Sequence, residues 1–187
     1  MKMIIAMTFL GIVVHACAEE CKLEPATNDY NSDKYFKIPE VYAVYSKNGK
    51  ENVCRKYQTT TNSDGTTKTL VFEDGKNGGT PSKALLECIN KPKSDKPGEF
   101  DVECKLPQVT EKGGTIKIQL ETSVLDTDNE KYVVLQRCSQ TTGSDIVVLQ
   151  TYTTGLEQGV ENYFDKKGWT FNQWYSRDQV DCNNIKN

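Results

Sequence analysis

The sequence holds a single histidine, His15, and it lies in a stretch that reads as a removable leader. The mature chain is therefore expected to have none. That excludes a histidine-ligated haem, a histidine-based zinc site and any Ser-His-Asp or Cys-His pair. No Cys-x-x-Cys spacing occurs, so a thiolate metal site is disfavoured as well. Long apolar runs are missing beyond the leader, where Lys2 gives a positive start and Ile4 to Val14 an apolar core. Ala16-Cys17-Ala18 supplies the small residues before cleavage, so residues 1–18 read as a secretory signal with a core too short to span a bilayer. A basic excess is missing too. The leader takes one lysine and no acid from 23 basic and 26 acidic residues, leaving a net charge of −4. Such a chain lacks the positive field that nucleic acid or an anionic membrane requires. Nothing gathers its carboxylates around a nucleophile, so neither an enzyme nor a cofactor is expected.

What remains, residues 19–187, is one domain's worth of chain, expected to be soluble, secreted and monomeric. Of seven cysteines, six survive removal of Cys17: Cys21, Cys54, Cys88, Cys104, Cys138 and Cys182. An even set in a secreted chain implies three disulfides, which fifteen pairings would satisfy. One pair follows from local sequence. The turn cluster Ser94-Asp95-Lys96-Pro97-Gly98 separates two strand-like runs, and a hairpin folded about Lys96 sets Cys88 opposite Cys104.

Strand signals recur at short, regular intervals: Glu40 to Lys47, Asn52 to Thr61, Thr66 to Glu73, Lys83 to Asn90, Glu99 to Leu106, Thr115 to Val124, Tyr132 to Ser139 and Asp145 to Thr153. Asp64-Gly65 between threonine-rich runs is a strong hairpin signal. A helical turn is expected over Ser32 to Phe36, and one or two short helices over Leu156 to Lys167 and Thr170 to Val180. The tail aromatics Tyr163, Phe164, Trp169, Trp174 and Tyr175 should pack on the outside of the sheet. The fold class is all-β: an eight-stranded antiparallel up-and-down barrel, lipocalin-like, with a short C-terminal helix. A barrel of eight strands holds one small ligand; a two-sheet sandwich is the alternative.

Candidate ligand contacts come from strand parity, since successive side chains alternate between faces. If Cys54 faces outward to a disulfide partner, Arg55 and Tyr57 face inward together. A guanidinium aimed into an apolar interior needs an anionic or polar partner. A ligand carboxylate would serve, but the pattern equally allows Arg55 to face solvent or pair with a fixed acid. Arg137, beside Cys138, is inward by the same parity, whereas Arg177 is expected at the surface. Ile118 and Leu120 share a face with Ile116, Thr122 and Val124 and would form apolar wall. Gln150, turned inward, would offer its amide to ligand oxygens, with Ile146, Val148 and Tyr152 on its face; a solvent-facing Gln150 is the competing reading.

Several stretches carry a resemblance: Glu19-Glu20-Cys21-Lys22-Leu23, Asp33-Lys34-Tyr35-Phe36, Glu51-Asn52-Val53-Cys54-Arg55 and Asp181-Cys182-Asn183-Asn184-Ile185-Lys186. Together with the leader they resemble the triabin branch of the salivary lipocalins of blood-feeding triatomine bugs, across the whole chain and all six mature cysteines. The resemblance implies the pairings Cys21–Cys138, Cys54–Cys182 and Cys88–Cys104. With Cys54 tied to the tail outside, Arg55 is sent inward. It also implies platelet inhibition by trapping thromboxane A2 or another prostanoid, with Arg55 clamping the carboxylate. Other members occupy a basic surface of thrombin, so a coagulation protease is the alternative partner. Capture of a biogenic amine ranks lower, because the strands offer no clear inward acid. Two departures stand out. Pro39-Glu40-Val41 replaces the usual Gly-x-Trp, and Thr127-Asp128-Asn129 stands where Thr-Asp-Tyr is usual, so the customary tryptophan plug is not expected.

Overall fold

The computed structural model describes residues 21–49, 54–73, 84–106, 116–140, 143–180, 182 and 185. The leader, the Gly-rich connection after Glu73 and the loop after Leu106 lie outside the described residues. Eight strands form the barrel: β1 (Glu40–Ser46), β2 (Arg55–Thr61), β3 (Thr67–Glu73), β4 (Leu86–Pro92), β5 (Glu99–Lys105), β6 (Lys117–Thr127), β7 (Tyr132–Ser139) and β8 (Gly143–Gln150). Each pairs antiparallel with the next, and β1 closes the ring by pairing with both β2 and β8. A two-residue strand, β9 (Tyr175–Ser176), is added to the end of β1. The described chain is thus the closed up-and-down barrel that the sequence implied, not a sandwich.

Local chemistry sets the register. Gly65 takes φ +80°, which its lack of a Cβ permits, and Asp64 Oδ1 accepts from the Thr66 amide at 3.0 Å. This turn aligns β2 and β3 from Arg55↔Glu73 to Thr61↔Thr67. Cys88 and Cys104 face each other across β4 and β5 and are bonded, as the hairpin argument required. The other pairings are Cys21–Cys138 and Cys54–Cys182. Strand β6 runs three residues beyond the expected Val124. It passes a bulge between Val124 and Asp126; Val124 joins the inner cluster and Leu125 the outer one.

Two separate apolar clusters result. The inner one lines the barrel with Ala43, Val71, Phe100, Val102, Val133 and Leu149. The outer one lies between the barrel wall and the tail. There α2 (Gln158–Lys167) lays Val160, Tyr163 and Phe164 against Val44, Leu125, Val134, Ile146 and Val148. Phe164 stacks on Phe171 with ring centroids 4.2 Å apart and meets Trp174 at 4.6 Å. The tail aromatics pack outside the sheet as expected, except Tyr175, which is exposed. Arg177 departs from expectation in the other direction. Its guanidinium is buried over the Tyr42 ring and donates to the Ile185 carbonyl, so it anchors the chain end rather than facing water.

One end of the barrel is closed by the N-terminal segment. The short helix α1 (Ser32–Tyr35) starts at Asn31, whose side chain accepts from the Lys34 amide. Tyr30, Tyr35, Phe36 and Phe100 meet edge-on or tilted, with centroids 5.2 to 6.0 Å apart. They form an aromatic floor in place of the missing tryptophan. The strap before α1 crosses close to Gly98, where a Cβ would come within 2.7 Å of Ala26. Thr127-Asp128-Asn129 holds it in place: Asn129 accepts from the Asn31 amide at 2.8 Å and donates to the Asp29 carbonyl at 2.8 Å.

Candidate ligand cavity

Above the aromatic floor lies a cavity of about 210 Å³ inside the barrel. Its waist is apolar, with Val71, Val102, Leu120, Val133, Leu135 and Leu149 on the wall. These are the inward positions of β3, β5, β6, β7 and β8, placed there by the period of two. The Cys88–Cys104 bridge also faces the cavity.

At the end opposite the floor stand two arginines. Arg55, the first residue of β2, lines the cavity beside Tyr57, as the outward bond of Cys54 implied. It is not alone: its Nη2 donates to Glu73 Oε1 at 3.2 Å. Of the readings open at the sequence level, the inward one and the fixed-acid one both hold. Its Nε is buried and has no hydrogen-bond partner among the described residues. Arg137 also lines the cavity and donates to Asp145 Oδ2 at 2.6 Å. Asp145 in turn accepts from Ser46 Oγ at 3.0 Å and the Asn48 amide at 2.9 Å. Burial works against the charge on Arg137, but the neighbouring Tyr57 and Asp145 more than offset it and hold the guanidinium firmly protonated. Tyr57 belongs to β2 and Arg137 to β7, so this contact reaches across the lumen.

Nearer the floor, one wall turns polar. Asn90 Nδ2 donates to Thr67 Oγ1 at 3.0 Å and Thr69 Oγ1 at 2.9 Å, while Thr59 and Thr69 share a hydroxyl hydrogen bond of 2.9 Å. All four residues line the cavity.

Several positions expected inward do not line the cavity. Strand β8 directs Val147 and Leu149 inside, so Ile146, Val148 and Gln150 point outward beneath the tail. Gln150 is fully buried there. Its Nε2 donates to the Gly155 carbonyl at 3.2 Å and its Oε1 accepts from the Glu157 amide at 2.9 Å. It is a clasp for the chain entering α2, neither a ligand contact nor a solvated residue. Tyr152 lies beyond the end of β8 and engages Glu157, which together with burial pushes its hydroxyl up to about 12. Ile118 packs against the inner cluster without reaching the cavity, and Ile116 is exposed. Arg55, Tyr57, Arg137 and Leu120 are brought together on the cavity wall.

The sequence reading missed Glu73, Asp145 and the Thr59–Thr69–Asn90 cluster. A signal for the acids was present. Arg55 and Glu73 are equidistant from Asp64 in the β2–β3 hairpin, and Arg137 and Asp145 flank the β7–β8 hairpin in the same way. Cross-strand partners at such positions sit side by side and pair readily.

A closed eight-stranded barrel with one flanking helix and a lined interior defines a lipocalin-like fold. Solved structures agree. The tryptamine complex of the amine binding protein of Rhodnius prolixus superposes with a TM-score of 0.65 at 20% identity, covering 86% of this chain and 87% of that one. A leukotriene C4 complex superposes with a TM-score of 0.57 at 18% identity, covering 87% and 97%. At such identities the likeness concerns the fold. The family model described as Triabin matches residues 15–163, and the chain belongs to that family. Pallidipin of Meccus pallidipennis is 48% identical over 190 residues, covering all of both chains. Platelet inhibitor triplatin-2 of Triatoma infestans is 43% identical over 188 residues, covering 97% of this chain and all of that one.

Proposed function

We propose that the chain is a secreted carrier that sequesters a carboxylated lipid mediator, thromboxane A2 or a related eicosanoid, and so inhibits host platelet aggregation. The observation that carries the reading is the buried Arg55 Nε, a charged donor without a partner among the described residues, on the wall of a cavity whose waist is apolar. Leaving such a donor unsatisfied is unfavourable, and a lipid carboxylate entering with its chain along the waist supplies the acceptor. Glu73 occupies one face of the guanidinium and leaves this nitrogen to the ligand. Arg137 would stand as the second cation, already neutralised by Asp145. Triplatin-2 is by name a platelet inhibitor and is alike over full length, which supports the physiological side of the reading. Three disulfides and the leader support secretion. The chain acts by binding and carries out no reaction.

One observation favours a second reading. Glu73 and Asp145 are inward acids of the kind a biogenic amine requires, and the sequence had not revealed them. Each is already matched by an arginine, so the lumen presents no surplus negative charge, and the anionic ligand ranks first.

Calorimetric titration with a stable thromboxane mimic tests the proposal. It should saturate at one site per chain, and Arg55→Ala should weaken binding about tenfold, the scale of a lost charged hydrogen bond. Heat with tryptamine but none with any prostanoid would shift the assignment to an amine carrier. No heat with either, together with a prolonged thrombin clotting time, would point to a protease inhibitor.

A further inference from the structure

We propose that Thr59, Thr69 and Asn90 form a hydroxyl-binding subsite, the specificity-determining residues that grip a hydroxyl carried far from the carboxylate of the bound lipid acid. The inference rests on the carrier reading above and adds the residues that would read the far end of the ligand.

The polarity of the lower cavity is one-sided. Phe100, Val102, Val133 and Leu149 make the opposite wall apolar apart from Thr122, while β2, β3 and β4 present Thr59, Thr67, Thr69 and Asn90. A wall whose only task was packing would be apolar here too, because polar groups facing an apolar interior are unfavourable unless fully bonded. This cluster is incompletely bonded. The Asn90 amide nitrogen is fixed by Thr67 and Thr69, which determines the way the amide points. Its Oδ1 then has no partner among the described residues. Thr59 and Thr69 own two hydroxyl hydrogens between them and use one in their mutual bond. The cluster therefore keeps spare donor and spare acceptor capacity side by side. A carboxylate matches only the donor and an ammonium only the acceptor. An alcohol matches both.

The spacing fixes where that alcohol belongs. Arg55 and Thr59 share the inner face of β2 four residues apart, which is about 13 Å along a strand. An extended chain with its carboxylate at Arg55 reaches the threonines only after roughly ten carbon–carbon bonds at that distance. A hydroxyl close to the carboxylate would miss the subsite.

Three probes test this by calorimetry on the full mature chain: octadecanoic acid, 12-hydroxyoctadecanoic acid and 2-hydroxyoctadecanoic acid. The 12-hydroxy acid should bind about fivefold more tightly than the other two, the range expected of one added neutral hydrogen bond. Thr69→Val, which keeps shape and removes the hydroxyl, should bring the ratio of affinities to about one. Thr59→Val should do the same and stands in if the first variant does not fold. Equal binding of the three acids by the unmodified chain, or a preference that survives both substitutions, overturns the subsite and leaves the carrier reading intact. Failure of all three acids to bind, with Arg55→Ala also without effect on the thromboxane mimic, overturns both.

Discussion

The two faces of the barrel wall have opposite characters. Outside, between wall and tail, Phe164, Val160, Val148 and Trp174 are buried against one another, and a buried glutamine has both its amide atoms engaged. Inside, the same strands surround an unfilled space with an unpartnered Arg55 nitrogen and loosely satisfied threonines. A single small domain usually relies on one core for stability. Here the tail supplies a second one, and the Cys54–Cys182 bridge secures it to the wall. The lumen is thereby relieved of the need to be solid, and its residues are free to serve a ligand.

The contrast can be broken most forcefully at Phe164. Phe164→Ala removes a fully buried ring stacked on Phe171 and should cost about 3–5 kcal/mol, lowering the melting temperature by roughly ten degrees. Calorimetric affinity at a temperature where the variant is folded should not change. Next comes Gln150→Ala, which strands the Gly155 carbonyl and the Glu157 amide. A loss of about 1–3 kcal/mol is expected in denaturant unfolding, again with ligand binding intact. Weakened binding in this variant would restore Gln150 to the ligand site.

A matched pair sharpens the comparison further. Val148→Phe overfills the outer seam and should destabilise by about 1–3 kcal/mol. Leu120→Phe, with the cavity to expand into, should leave the melting temperature nearly unchanged and reduce ligand affinity instead. Equal destabilisation by both would mean that the two sides are packed alike.

The smallest effect is one of pH. Asp126 accepts from the Tyr132 hydroxyl at 2.7 Å at the edge of the outer seam, and burial there holds its carboxyl above the ordinary value. A raised folded value favours the protonated form. The contribution of Asp126 to stability is thus fullest in acid and is lost as pH rises through the folded value. Asp126→Asn should accordingly melt higher than the parent at neutral pH, with the gain vanishing toward about pH 4. Melting curves of both across that range are the check.

How much of this was legible beforehand depended on where each strand had an independent marker. Cys54 marked β2, so the inward placement of Arg55 and Tyr57 could be inferred from one outward bond; Cys138 did the same for Arg137. Strand β8 has no such marker. Ile146, Val147, Val148 and Leu149 are all buried, alternately by the lumen and by the tail. A strand covered on both faces shows no alternation to read, and Gln150 and Val148 were assigned to the wrong side. The floor escaped notice for another reason. Tyr30, Tyr35 and Phe36 come from a polar, irregular segment whose ring contacts exist only once the strap has crossed the barrel. Thr59 and Thr69 were visible as strand formers, but their joint alignment with Asn90 requires three strands in register.

The double engagement of β1, with β2 on one flank and β8 on the other, reaches beyond the shape of the container. Every long strand among the described residues has both neighbours in place, so no row of idle amides and carbonyls invites a second molecule to add on. A ring without loose edges can be concentrated without stacking into fibres, as the proposed one-to-one sequestration of a mediator would require.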